Sequence, residues 1–473
     1  MQTKLIYDIV NYMKILLISP PKIKALSTDI PNIFEEIPQY YPPLGLMSIA
    51  AYLKKYTNHN VEILDAQILM MSYEDVRQEI RIKSPDVVGM TATTYSLPDV
   101  IEIAKIAKEL HSATHITLGG PHTHIFPDET ISFPYIDSLI LGEGEIVFSQ
   151  LVNSLEQNYD KLSQVKGIIY KDKDKIIKTP SQEVIFDLDS LPYPVREMIP
   201  YKKYILNDTV WTTILSSRGC PYECIYCHRP PLSKNFRPRS SFNVVDEMEE
   251  CLKLGIQQVI FIDDVFTLHR KRVFEICDEI IRRNLKIKWQ INAMVNNIDY
   301  GVLLKLREAG CHWIHYEVGS GTQKMLDFLK KEITLKQVKD AIKVTNDVRI
   351  TNSVDIMLGL PNETKEHILK TIKFVKKINP DFAYFSMSIP YPATELYKIW
   401  LCEEKRNYWQ EYALEPKVEF KIPTKGQNTN ELLKLAYKSF YFSLNFFIKQ
   451  VLTSPSFEVF KKRMKIGIKM LNL

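Results

Sequence analysis

Short apolar runs alternate with helical periods twice over in this chain, and that alternation limits its fold more than any other feature. The first series reads MKILLI (13–18), a helix from about Leu44 through AAYLKKY, VEILD (61–65), a helix from Ser72 to Lys83, DVVGMT (86–91), a helix over 97–111, HITLGG (115–120) and DSLILG (137–142). Strands separated by helices are joined by crossovers, and crossovers make parallel sheets. We therefore expect an α/β protein that begins, over residues 13–155, with a five-stranded, doubly wound, Rossmann-like parallel sheet. Such sheets bind ligands at the carboxyl ends of their strands. Those ends carry SPP, TATT, GGPH and GEGE, all small, polar or glycine-rich.

A connector is expected over 156–205, with GIIYKDKDKIIK as a small hairpin and DLDSLPYPVREMIP as an irregular crossing. The second series then fills 206–400. Its strands are TTILSS (212–217), QVIFID (258–263), IKWQIN (287–292), HWIHYEV (312–318), ITNSVDIM (350–357) and FAYFSMSI (382–389). Six strand–helix units predict a partial (β/α)6 barrel. Residues 401–473 turn aromatic, basic and helical, as in LLKLAYKSFYFSLNFFIKQVL; an amphipathic helix packed on the barrel explains them better than a lid or a membrane contact.

Three of the seven cysteines fall together in SSRGCPYECIYCHRP, directly after the first barrel strand. An odd count argues against a disulfide framework. Cys251, Cys277, Cys311 and Cys402 are scattered and read as buried apolar thiols. Three thiolates at Cys220, Cys224 and Cys227 can hold three irons of a 4Fe–4S cubane and leave the fourth open, whereas an electron carrier uses four. Zinc on these cysteines plus His228 is an alternative, although zinc sites usually pair two short knuckles. The ending CIYCH has the haem-attachment spacing, which the extra upstream cysteine fits poorly. Free thiols clustered by chance are the third alternative.

A net charge of +5 over 473 residues gives no ground for a nucleic-acid partner, and no apolar run has the length of a transmembrane segment. The opening MQTKLIYDIVNYMK lacks the features of a secretory signal, so a cytoplasmic location is expected.

These motifs together resemble the radical S-adenosylmethionine (SAM) enzymes that carry an N-terminal cobalamin-binding domain, a family that includes magnesium-protoporphyrin ester cyclase and radical SAM methyltransferases. The resemblance spans roughly residues 13–400. It implies that Cys220, Cys224 and Cys227 ligate the cluster and that Tyr226 lies near the adenine of SAM. Within FIDDVFT it makes Asp263 and Asp264 candidates for the SAM amino group, with helix capping as the plainer role. YEVGSGTQKML resembles the signature GxESGSQ but has Gly319 where the family has Glu. Glu317, two residues earlier on the same strand face, is the substitute candidate, and Ser320 keeps its place. In DIMLGLPNET, Gly359 and Pro361 are expected to shape a turn against the nucleoside, or to be a plain βα turn; IPYPATEL has Ala393 where Gly is common.

For cobalamin, the resemblance implies hydroxyls from Thr91 and Thr93, backbone contact at Gly119, Gly120, Pro121 and His122, and the run Gly142, Glu143, Gly144. The DxHxxG motif is absent, its loop reading SPPKIK, so cobalamin is expected without a protein histidine on cobalt. His122 and His124 are expected on the tail side, away from the metal. A domain that kept this fold and lost the cofactor is the alternative.

The implied function is methylation of an unactivated carbon through methylcobalamin and a 5′-deoxyadenosyl radical. The implied substrate is a small molecule, hydrophobic if it enters beside the C-terminal segment, and the implied partner is a one-electron donor such as flavodoxin or ferredoxin. A radical cyclisation or rearrangement and a non-catalytic metal-binding protein are the alternatives.

Overall fold

A computed structural model describes residues 12–26, 40–157, 159–228, 233–404, 407–416 and 429–454, with a few single positions beside them. The N-terminal domain runs β1 (Lys14–Ser19), α1 (Leu44–Tyr56), β2 (Asn60–Asp65), α2 (Tyr73–Lys83), β3 (Val87–Thr91), α3 (Leu97–Leu110), β4 (His115–Gly119), the short helices α4 (Pro121–Ile125) and α5 (Pro127–Ser132), β5 (Ser138–Ile140) and α6 (Gly144–Gln157). Its parallel strands take the order β2-β1-β3-β4-β5. The uninterrupted apolar runs follow from burial on both faces. On one face Ile15 and Leu17 pack with Val147 and Phe148 of α6. On the other, Leu16 and Ile18 pack with Val76 and Ile80 of α2 and Val100 and Ile103 of α3.

The hairpin expected in the connector adds to the N-terminal sheet. Strands β6 (Ile168–Asp172) and β7 (Lys175–Lys178) pair antiparallel onto β5 and make the sheet seven-stranded. An open β5 would leave a row of backbone groups unpaired, and buried Ile168, Ile169 and Tyr170 cover it.

The second domain opens with the short β8 (Ile205–Leu206), followed by β9 (Thr209–Ile214), the ribbon β10 (Ser217–Arg218) with β11 (Arg237–Pro238), and α7 (Ser241–Lys253). Then come β12 (Gln258–Phe261), α8 (Arg270–Arg282), β13 (Lys288–Ala293), α9 (Tyr300–Glu308) and β14 (Cys311–Gly319). The series ends with α10 (Gln323–Phe328), α11 (Leu335–Asp347), β15 (Thr351–Leu358), α12 (Lys365–Ile378) and β16 (Phe382–Met387). The order is β16-β15-β14-β13-β12-β9-β8, parallel except for β8, so the expected six-stranded half-barrel is present. Cys251, Cys277 and Cys311 are buried between its strands and helices as expected, whereas Cys402, on the C-terminal side of the barrel, is exposed.

The C-terminal region holds α13 (Glu395–Glu404), α14 (Tyr408–Leu414), α15 (Thr429–Tyr441) and α16 (Leu444–Thr453). As expected, α15 packs on the barrel, where Tyr437 and Tyr441 join the core. Among the described residues no helix is long and apolar enough to cross a membrane.

Candidate functional site

The carboxyl ends of the two strand sets meet. Tyr95, in the loop after β3, donates to Tyr391, in the loop after β16, at 2.7 Å between hydroxyls. Across the same seam Arg218 binds Glu143 at 2.8 Å and Glu145 at 2.6 Å, while Arg237 binds Glu143 at 2.9 Å. Burial alone would raise the Glu143 carboxyl, but the guanidiniums of Arg237 and Arg218 hold it below its ordinary range. The GEGE run is thus shared out: Glu143 and Glu145 grip the barrel. Gly144 lets α6 approach α1, since a Cβ there would lie 2.8 Å from Ile49.

Two residues past Arg218 begins the cysteine loop. Gly219 has φ +91°, and a Cβ there would sit 2.2 Å from the Asn235 carbonyl oxygen, so only glycine closes this turn. Ile225 is the anchor of CIYC. It is buried with Met325, Leu329, Leu360 and Leu396, and its backbone bonds Leu329 and Leu396. Cys220 and Cys224 stay partly accessible and Cys227 lies at the surface, none of the three in a disulfide. Partial exclusion of water from its sulfur, then Asp264, Cys224, Glu317 and Cys220 nearby, push the Cys227 thiol up to about 11. Three thiols and two carboxylates in one place are a donor set that suits positively charged irons. Among the described residues no three His, Cys, Asp or Glu side chains converge tightly enough for a single ion. A cubane, with one thiolate per iron, does not need that convergence.

The structure divides the SAM candidates. Asp264 reaches the surface beside Gly219 and Glu317; the protein packed around its carboxyl keeps off part of the water, and this and then the charges of Asp263 and Glu317 raise its pKa. Glu317 projects from β14 with its side chain 49% exposed and meets Lys331 at 3.4 Å. Lys331 is only 1% exposed, and its ammonium donates to the Tyr226 hydroxyl at 2.5 Å. Asp263 is buried and spent within the protein, accepting from the Ser216 amide (2.7 Å) and from the Ser216 and Ser217 hydroxyls (2.5 Å each). Ser320 is wholly buried and turned toward Thr322 and Thr371. Gly359 and Pro361 do form a turn, with the Gly359 and Leu360 amides donating to Glu363. Ala393 takes φ +60°, the left-handed conformation that favours the glycine common there.

At the N-terminal strand ends, a hollow of about 180 Å³ lies between the sheet and helices α1 and α6, lined among others by Gly89, Thr91, Thr117, Gly119, Gly142 and Gly144. Gly120, at φ +100°, also lines it; a Cβ there would lie 2.8 Å from the Ala92 carbonyl oxygen. Thr117 Oγ1 is buried with no hydrogen-bond partner among the described residues. A second hollow of about 420 Å³ shares Thr91, Gly45 and Leu46 and adds Ser19–Lys22, Thr93 and Tyr95. A slot with an orphaned hydroxyl and a glycine floor fits the nucleotide tail of a cobalamin. Neither Pro121 nor His122 lines either hollow. His122 is buried against Thr94 and Phe126, and burial lowers its pKa to about 4. His124 lies near enough to His228 of the cysteine loop that burial and then that neighbour lower its pKa.

Sequence reasoning missed Lys331, Thr117 and Arg218. Nothing in their local patterns sets them apart; each acquires its role from residues far along the chain.

An open sheet whose strand ends face those of a half-barrel, with three cysteines at the seam, defines the class: a two-domain α/β protein built around a shared cleft. The radical SAM superfamily pattern matches residues 214–375, and the B12 binding domain pattern matches residues 32–152. An uncharacterized methyltransferase of Pyrococcus horikoshii is 32% identical over 94% of this chain and 96% of its own length. The anaerobic magnesium-protoporphyrin IX monomethyl ester cyclase of Rubrivivax gelatinosus is 34% identical over 77% of this chain and 67% of its own. Among solved structures, the radical SAM methyltransferase TsrM from Kitasatospora setae, with cobalamin and a [4Fe-4S] cluster bound, aligns at TM-score 0.69 and 19% identity over 83% of this chain and 78% of its own. The cobalamin-dependent radical enzyme OxsB aligns at 0.71 and 16% over 98% and 80%. The chain belongs to the radical SAM family, in the branch that carries a B12-binding domain, as its motifs led us to expect.

Proposed function

We propose that this protein methylates an unactivated carbon of a small molecule, with Cys220, Cys224 and Cys227 as the ligands of a 4Fe–4S cluster. The meeting of the two sets of strand ends, through Tyr95–Tyr391 and through Arg218 with Glu143 and Glu145, is the observation that carries the reading. When bound, the cluster with SAM supplies a 5′-deoxyadenosyl radical and cobalamin supplies the methyl group. The chain's part is to hold these groups side by side and away from water.

Asp264 and Glu317 offer carboxylates to the SAM ammonium group. Lys331 offers a positive charge to the SAM carboxylate, and Tyr226 a ring for the adenine. Asp263 and Ser320 serve by positioning the loops around them. Thr91, Thr117, Gly119, Gly120, Gly142 and Gly144 line the slot for the cobalamin tail. The Ser19–Lys22 loop above it has no histidine, consistent with cobalt lacking a protein imidazole. A flavodoxin or ferredoxin is the proposed electron donor.

Anaerobic reconstitution with iron, sulfide and hydroxocobalamin tests this reading. We expect about four irons per chain and a corrinoid spectrum; Cys220→Ala, Cys224→Ala and Cys227→Ala should lose the iron and keep the corrinoid. S-adenosylhomocysteine formed in step with 5′-deoxyadenosine marks methylation. 5′-Deoxyadenosine without it marks cyclisation, the second reading, favoured by the 34% identity to the ester cyclase. A colourless protein without iron removes both.

A further inference from the structure

Inside the half-barrel, a row of hydrogen bonds climbs toward the strand ends and uses none of the residues assigned above. Side chains two apart on a strand share a face, so Trp313, His315 and Glu317 of β14 and Ser353 and Asp355 of β15 line one surface. Trp313 Nε1 donates to Ser353 Oγ at 2.9 Å, Ser353 Oγ meets His315 Nδ1 at 2.7 Å, and His315 Nε2 meets Asp355 Oδ2 at 2.7 Å. The opposite faces of these strands carry Ile314, Tyr316, Val354 and Ile356, and those do the core packing.

The row has a direction. An indole N–H can only donate, so the Ser353 hydroxyl accepts there and turns its own proton toward His315 Nδ1. In the neutral ring that leaves the proton on Nε2, pointed at Asp355. Burial disfavours the charged ring and Asp355 favours it, with Asp355 prevailing. The Asp355 side chain stays 48% exposed. Its register neighbours are Glu317, already bridged to Lys331, and Tyr384. Aromatic surface lies beside it: Trp313 stacks on Phe382 at 4.9 Å between ring centres, and Tyr384 is 5.8 Å from the His315 ring.

We infer that this row is a substrate-anchoring subsite, with Asp355 accepting a protonated amine whose apolar or aromatic remainder lies along Trp313 and Tyr384. Ser353 and His315 are positioning residues that fix the carboxylate. The inference deepens the proposed function, since it sets the carrier of the amine one step below Glu317. An anchored amine would present the rest of its molecule to the strand ends.

The test uses the reconstituted holoenzyme and a matched pair of probes, 2-phenylethylamine and 2-phenylethanol, titrated by anaerobic calorimetry at pH 7 and pH 9. We expect the amine to bind at least about tenfold tighter than the alcohol at one pH or both. Asp355→Asn should abolish that preference, and Ser353→Ala should reduce it severalfold, with thermal melting confirming that both variants fold. If a variant does not fold, the wild-type preference is tested instead by competition with benzylammonium and its neutral counterpart toluene. Equal binding of amine and alcohol, no binding of either, or an unchanged preference in folded Asp355→Asn overturns the inference. Iron and corrinoid counts on the same samples report the cofactor reading separately. Full counts without amine preference defeat the anchor alone, and an empty protein that still prefers the amine defeats the cofactor reading alone.

Discussion

His122 illustrates how burial sets a residue's chemistry. Removed from water, its imidazole is driven to a pKa of about 4, whereas in the unfolded chain it titrates near its ordinary value of about 6.5. Above pH 6.5 both states are neutral there and the histidine has no effect on pH dependence. As the pH falls from 6.5 toward 4, the unfolded chain takes a proton that the fold refuses, and stability drops by up to about 3 kcal/mol. We expect His122→Gln to lose less stability than the parent between pH 7.5 and pH 5 in urea denaturation. His115, also driven to about 4 by burial, leaves part of the loss in place. Identical losses in the two proteins would remove the argument. Legibility at this scale divides by how a residue gets its role. Cys220, Cys224 and Cys227 announce themselves by spacing. Asp263 and Ser320 sit at motif positions, yet Ser216 and Thr371, distant in sequence, turn them into framework. Lys331 is the reverse case, an ordinary lysine in KKEIT until the fold buries it against Tyr226.

Among the elements, α15 does something that no helical period shows. Tyr437 and Tyr441, one turn apart on α15, each place a hydroxyl against the backbone of β16. The Phe385 amide donates to Tyr437 at 3.1 Å, and Tyr437 donates back to the Phe385 carbonyl at 2.7 Å; Tyr441 does the same for Ala383 at 3.1 and 3.0 Å. The two hydroxyls replace a neighbouring strand on the open edge of the half-barrel, which would otherwise bury four unpaired groups. Tyr437→Phe and Tyr441→Phe should each cost about 1–3 kcal/mol by denaturant unfolding, because the partners left behind are buried. Leu435→Ala, on the exposed side of the same helix, should cost far less. A loss no greater than that control would show the edge to be satisfied in another way. The strands of both sheets were readable from apolar runs within a residue or two at most ends. The hairpin's place was not, because GIIYKDKDKIIK reveals a hairpin locally but not the β5 edge that it covers.

At the scale of the whole molecule, two apolar patches and a charged knot join the Tyr95–Tyr391 hydrogen bond in holding the seam. Met47 of α1 packs with Trp211 and Ile260 of the barrel, and Leu97 and Phe126 pack with Trp400 and Trp409 of the C-terminal region. Between these contacts, Arg218 is the cation through which the cysteine loop reaches the N-terminal strand ends. Its loss leaves Glu143 with Arg237 but removes the only guanidinium bound to Glu145 among the described residues, and Glu145 is buried. Breaking one side of a buried pair costs about 3–5 kcal/mol, chiefly for the charge left behind. We therefore expect Arg218→Met to melt earlier and to split one cooperative transition into two, as the domains cease to support each other. Adding Glu145→Gln removes the stranded charge and should recover part of the loss without restoring the link. A cluster loop detached in this way would still bind iron, since its cysteines are untouched, and the N-terminal domain would still bind corrinoid. Methyl transfer would fall, because it alone needs the two held together. Iron count, corrinoid count and S-adenosylhomocysteine formation, read on one preparation of Arg218→Met, separate coupling from cofactor binding; a variant that melts in one unshifted transition and turns over like the parent leaves the knot without a role.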